Sequence, residues 1–322
     1  MKKTLIALAA LAMVAACNKA EVIEATQDNL IGFEAPFVDN ATKALGDKDY
    51  SGNKALTGFK VYGTVTGNSA TVNLFSDTQI NRNSKDFGVA WDYADATKKQ
   101  YWLPSCSYNF AAVVDGTVKS TDTYGMPTEL SYSVGGGDLL YATAAATTNA
   151  SSTPSGAGIS TNGCVAFTFE HLLSKVYFSF TNGFDNEDYK YSVNEVTISG
   201  FKKDGTYTIG ATTPWVLGTD ATATPLSFGA LGTLAKSATT TSTVDHLIIP
   251  GSQEITISFT YDVIFKDQTI SQIPVTKTIT QNFAQKTVYK IDVILPALGN
   301  EIKFTVTGKP GDFTTGNDIT IQ

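Results

Sequence analysis

The chain has 322 residues, long enough for two domains of ordinary size. Apolar residues make up 42% and charged residues 16%, which argues against disorder and against Lys/Glu-rich helices. The net charge of −7 repels phosphate backbones, and Arg82 is the single arginine, so nucleic acid is excluded as a partner.

Residues 1–16 have a short basic start, Lys2-Lys3, and an apolar run too short to span a bilayer. That is a signal peptide. Its end, Val14-Ala15-Ala16-Cys17, resembles a bacterial lipobox and predicts lipidation of Cys17, with acyl chains that anchor at about 0.8 kcal/mol per buried methylene. Residues 17–29 read as a polar tether. Ile31, Phe33, Ala35 and Phe37 then alternate, and Pro36 marks this as an edge strand, because proline cannot donate to a ladder. Residues 39–54 read as an exposed turn region.

A first β-domain is expected over 30–160. Its strand candidates are 59–65, 71–75, 88–93, 101–104, 108–114 and 139–141, with turn residues between them. Trp91, Tyr93, Tyr101 and Trp102 form an aromatic group. It reads either as a sugar-stacking platform or, preferred here, as core packing. Residues 144–163 read as a loop of small residues. Cys106 and Cys164 could form a disulfide in an oxidising envelope, or remain two small thiols.

The stretch Val165–Phe180 changes parity. Val165, Phe167 and Phe169 sit at odd positions, and Val176, Phe178 and Phe180 at even ones. A strand cannot do this without a bulge or a break, so 171–175 is one or the other. It is the entry to a second β-domain over 161–322. The alternation Ile255, Ile257, Phe259, Tyr261, Val263, Phe265 predicts the strongest strand of the chain, turning back at 266–268. Residues 218–243 read as a long surface loop around one short strand.

No constellation for catalysis is visible. The two histidines, His171 and His246, cannot build a His-rich metal site, and neither lies near a Gly-x-Ser-x-Gly elbow. His171, inside strand-like sequence, reads as a partly buried, hydrogen-bonded side chain. Gly135-Gly136-Gly137 precedes a strand and is no phosphate loop. No enzyme and no cofactor is expected.

In order along the chain stand the lipobox at Cys17, Ile31-Gly-Phe33, Thr42-Lys-Ala44, Gly58-Phe-Lys-Val-Tyr-Gly63, Trp91-Asp-Tyr93 and Tyr101-Trp-Leu-Pro104. Tyr108-Asn-Phe-Ala111, Asp138-Leu-Leu-Tyr-Ala142, Phe167-Thr-Phe-Glu-His-Leu-Leu-Ser-Lys-Val176, Thr213-Pro-Trp215 and Ile302-Lys-Phe-Thr-Val306 follow. In this the chain resembles the fimbrillin family of Bacteroidetes lipoproteins, the Mfa-like and FimA-like pilins. The resemblance implies an all-β fold of two transthyretin-like β-sandwich domains in series. It implies a surface-exposed outer-membrane lipoprotein, held by its lipid anchor, that joins other fimbrial subunits in a fimbria and supports adhesion to a host or bacterial receptor. In that family a protease removes the N-terminal strand and a neighbour's strand fills the groove. Carried onto this chain, the displaceable strand is Ile31 to Val38, with Ile31, Phe33 and Phe37 as pocket fillers. Known stalk subunits are cut after Arg, whereas the matching loop here offers Lys43. The C-terminal donor candidates are Ile302, Phe304, Val306, Ile319 and Ile321. The alternative function is a surface lipoprotein that binds glycans through the aromatic group.

Overall fold

The computed structural model describes residues 29–38, 56–82, 91–221, 224–266, 268–297 and 299–310. They are all-β, with one 3-10 turn at Ala96–Lys98 capped by the Asp95 side chain. Contacts divide the chain into two units. The first takes residues up to Leu130 together with Leu139–Glu170; the second takes Ser131–Asp138 and everything from His171 on.

The strands of the first unit are β1 (Phe37–Val38), β2 (Gly58–Gly67), β3 (Ala70–Arg82), β4 (Trp91–Tyr93), β5 (Ser107–Val114), β6 (Thr117–Thr121), the start of β7 (Pro127–Ser133), β8 (Leu140–Thr148), β9 (Pro154–Ser155) and β10 (Thr168–His171). One sheet runs β1-β10-β8-β5-β2-β3-β4, with β9 beside β8. Alternation drives the burial. Phe59, Val61 and Val65 of β2, Phe75 and Ile80 of β3 and Tyr108 and Phe110 of β5 point into one aromatic-rich core.

Two expectations fail here. Tyr101–Pro104 is no strand and makes a single bridge, Leu30 to Tyr101. The small-residue stretch after residue 143 is not simply a loop. Its first part completes β8, whose Ala142, Ala144 and Ala146 face the core. Alanine fits because Gly158 crosses close behind it: a Cβ on Gly158 would stand 2.7 Å from that of Ala144.

The second unit holds β11 (Ser174–Asn182), β12 (Tyr189–Ser199), β13 (Asp204–Thr208), β14 (Trp215–Leu217), β15 (Leu226–Gly229), β16 (Gly232–Leu234), β17 (Thr239–Thr241), β18 (His246–Ile248), β19 (Gly251–Phe265), β20 (Gln268–Phe283), β21 (Thr287–Leu295) and β22 (Lys303–Pro310). Two sheets face each other: β17-β11-β21-β22 with β18 on β11, and β15-β12-β19-β20 with β16 on β12. Phe180 of one sheet meets Phe259 of the other edge-on at 5.0 Å between ring centres. β11 and β21 pair in parallel, and β11 is buried almost throughout, as central parallel strands are.

Most of the β19 alternation is present, with Ile255, Ile257, Phe259 and Val263 inward, while Tyr261 and Phe265 are only partly buried. Residues 218–243 differ from the expectation. They contribute three short strands, β15 to β17, because Phe228, Leu231 and Leu234 are buried in the core. The parity change at 171–175 is a break between β10 and β11. Val165, Phe167 and Phe169 pack in the first core, and Val176, Phe178 and Phe180 in the second.

Candidate functional site

Residues 29–38 lie between the two ends of the first unit's sheet. On one side Phe33 bridges Val165 in parallel and β1 pairs β10 in parallel, Phe37 with Thr168 and Val38 with Phe169. On the other side Phe33 bridges Trp91 and Leu30 bridges Tyr101, both antiparallel. The segment is therefore no free edge; it closes the sheet. The sequence missed this because Pro36 rules out only one ladder position. The N–H groups of Glu34 and Phe37 donate to the carbonyls of Val165 and Phe167, each at 2.9 Å, and those of Val165 and Trp102 donate back to Gly32 and Asn29 at 2.8 Å. Proline occupies a position where no donor is needed.

Side chains lock the segment further. Phe33 is 3% exposed. Its ring stacks on Phe167 at 6.2 Å and meets Phe59, Phe75 and Tyr93 edge-on at 5.7–6.0 Å. Such contacts contribute about 0.5–1.5 kcal/mol each beyond burial. The buried Tyr93 hydroxyl donates to the Ile31 carbonyl at 2.8 Å, and burial pushes this phenol far above its ordinary value, so it stays a donor. Asn162 donates to the Glu34 carboxylate at 3.3 Å.

Ile31 and Phe33 are buried as expected; Phe37 is not. It is 47% exposed, and Val38, at 3%, takes the inward place. Glu34 and Ala35 both stay out of the core, so the inward set moves from odd positions (Ile31, Phe33) to even ones (Pro36, Val38). Alanine and proline are ambiguous in an alternation pattern, so the sequence could not show the shift.

Gly32 backs onto Cys164. A Cβ on Gly32 would stand 2.9 Å from the Cys164 Sγ and 3.9 Å from its Cβ. Cys106 and Cys164 are free thiols. Burial raises the pKa of each, and for Cys164 the charge of Glu34 adds to it. No sequence signal pointed to Cys164 as a neighbour of the segment.

Three of the four side chains of the aromatic group are core, and Tyr101 is partly exposed. Trp91 and Trp102 are 5% and 4% exposed, and Tyr93 is buried with them. A stacking platform for sugars needs open faces, so that reading loses its basis. His171 is buried and paired through Nδ1 to Asp138 Oδ2 at 2.7 Å, and His246 Nε2 lies 2.8 Å from the Ser227 carbonyl. Among the described residues no group of three or more His, Cys, Asp or Glu side chains is arranged to hold a metal ion.

Of the C-terminal donor candidates, Ile302 precedes β22 and Phe304 and Val306 lie on it. All three are packed against the second unit's core, and β22 is paired with β21 over its whole length. Cys17, Lys43, Ile319 and Ile321 lie outside the described residues.

The Fimbrillin-like family model matches residues 42–310. The chain belongs to the fimbrillin-like family. A fimbrial protein from Bacteroides vulgatus ATCC 8482 shares the fold with a TM-score of 0.61 and 15% identity, over 88% of this chain and 99% of its own. A candidate cell adhesion protein from Bacteroides uniformis ATCC 8492 covers 88% of this fimbrillin-like chain and 99% of its own at 14% identity, with a TM-score of 0.49. No curated protein matches this chain.

Proposed function

We propose that this fimbrillin-like chain is a structural subunit of a cell-surface fimbria. It is exported as a lipoprotein through Cys17, anchored in the outer membrane, and assembled by strand exchange at the groove that residues 29–38 fill. The two units serve as transthyretin-like domains over roughly the spans 30–160 and 161–322. The chain carries no catalytic role; it supports adhesion through its place in the fibre.

The observation that carries this reading is the closing position of residues 29–38. A segment held on both flanks by main-chain bonds, with Ile31, Phe33 and Val38 in the core, leaves an apolar trough when it departs. Refilling that trough recovers about 1.5–3 kcal/mol per large side chain, an upper figure, together with the main-chain bonds. That is β-augmentation. Cutting near Lys43 would free the segment, and a neighbour's strand, with Ile302, Phe304 and Val306 as C-terminal candidates, would enter.

The test uses the Gly32 and Cys164 pair. The 3.9 Å separation suits a disulfide. Gly32→Cys, with Cys17 and Cys106 replaced by serine, locks the segment when oxidised. After cleavage beside Lys43, the reduced protein should form ladders that resist mild SDS and the oxidised protein should not. Ladders of equal extent in both states would overturn the exchange reading.

A further inference from the structure

The groove has an irregular inward pattern, and that pattern selects its occupant. Reading along residues 29–38, it needs an aliphatic side chain, then a residue with no Cβ beside Cys164, then an aromatic ring. Two outward residues follow, and then the inward pair Pro36 and Val38. Gly32 does not have a left-handed φ, so its role is to leave room for the thiol rather than to permit a turn.

The C-terminal strand does not meet this pattern. With Ile302 and Phe304 in the Ile31 and Phe33 sites, Lys303 takes the place of Gly32. Val306 then falls at the exposed Ala35 position, and Lys309 falls at Val38, which is 3% exposed. A lysine buried there without a partner is costly. Ile319 and Ile321 match the alternation but bring no ring for the socket around Phe33.

We propose that residues 29–38 of a second copy of this chain are the best-fitting occupant of the groove, exchanged between copies without any cut. This rests on the strand-exchange reading but replaces its cut and its C-terminal donor with the same segment of an uncut copy. Every contact of the closed chain is reproduced in the exchanged pair, because the sequence is the same. Residues 39–57 separate Val38 from β2, and any chain of that many residues spans at most about 60 Å. Domain swapping of this kind costs little, since the exchanged interface is the native one. What opposes it is effective concentration. A tethered segment competes at about millimolar levels, so exchange needs crowded copies or a briefly loosened segment.

The test mixes two uncut full-length chains, both with Cys17 and Cys106 replaced by serine. One carries Gly32→Cys and Cys164→Ser; the other keeps Gly32 and Cys164. They are held together at about 1 mM in sub-denaturing urea, diluted and oxidised. The expected result is a covalent dimer on a non-reducing gel whose linked peptide joins position 32 of one chain to Cys164 of the other. The single chain bearing both thiols serves as the control, and it should close on itself. Absence of the interchain link while this control closes fully would overturn the proposal. If ladders still form after cleavage, exchange with some other strand survives that outcome. If the locked, oxidised chain also forms ladders, both readings fall.

Discussion

The Tyr93 hydroxyl donates to the Ile31 carbonyl at 2.8 Å in a buried setting. The donor stands in the last position of β4, and the acceptor belongs to the segment that closes the sheet. Tyr93→Phe keeps the ring and its contact with Phe33 but strands that carbonyl without its hydroxyl donor. The expected cost is about 1–3 kcal/mol in urea unfolding. The variant should also release the cut segment faster than the parent, measured as the rate of ladder formation.

Phe33 and Phe37 separate the two halves of the segment. Phe33→Ala empties a site ringed by Phe59, Phe75, Tyr93 and Phe167, and should cost about 3–5 kcal/mol. Phe37→Ala removes a side chain that is 47% exposed and should change stability by no more than about 0.5 kcal/mol. Equal losses at the two positions in chemical denaturation would contradict the parity shift.

Cys164 reports on the segment through its thiol. Burial comes first in raising its pKa, and the negative charge of Glu34 comes second. A raised pKa means less thiolate at a given pH and slower alkylation. Glu34→Gln removes the charge, so the pH profile of iodoacetamide labelling at Cys164 should move to lower pH. Cys106, raised by burial alone, should keep its profile and serves as the internal standard.

A second pH effect sits at Asp77, in a left-handed bulge position of β3. Partial burial opposes its charge, but hydrogen bonds from Tyr62 at 2.7 Å and from Lys60, with the lysine charge, outweigh it and hold the carboxyl below its ordinary value. A folded-state pKa below the unfolded one gives stability that is present above the unfolded value, near pH 4. It is lost as pH falls through the folded value. Asp77→Asn should flatten the acid side of a thermal-stability profile and leave the profile parallel to the parent above about pH 6. An unchanged acid limb would remove this role.

Legibility followed side-chain size. The alternation of β19 and the break at 171–175 were plain because Ile, Phe and Val mark faces without ambiguity. The alternation at Ile31 and Phe33 was as plain, although the segment makes only isolated bridges there and a strand only at Phe37–Val38. Its closing position was hidden, since bonds on both flanks come from residues more than 55 positions away, at Trp91, Tyr101 and Val165. His171 was read as a partly buried, hydrogen-bonded side chain; it is fully inside, and its partner Asp138, 33 residues back, left no local signal. Where alanine and threonine carry the pattern, as in β8 and β17, hydrophobic contrast is too low to separate strand from loop.

β8 gives the sharpest check on that last point. Ala144 is 8% exposed, and its Cβ and Cα lie against the backbone of Gly158, where a Cβ would come within 2.7 Å. If this stretch were a surface loop, Ala144→Val would be harmless, and valine's β propensity would be irrelevant. In the strand seen here, the added methyls meet a neighbour that cannot retreat, because the Gly158 backbone is itself held by the bond from the Ala166 N–H to its carbonyl at 2.8 Å. Overpacking of this kind costs about 1–3 kcal/mol despite the better strand former. Ala145→Val, on the outward face of the same strand, should stay within about 0.5 kcal/mol. Paired urea midpoints for the two variants decide it: a large loss at 144 and none at 145 fits a core-facing alanine row, and the reverse order would place the row on the wrong face.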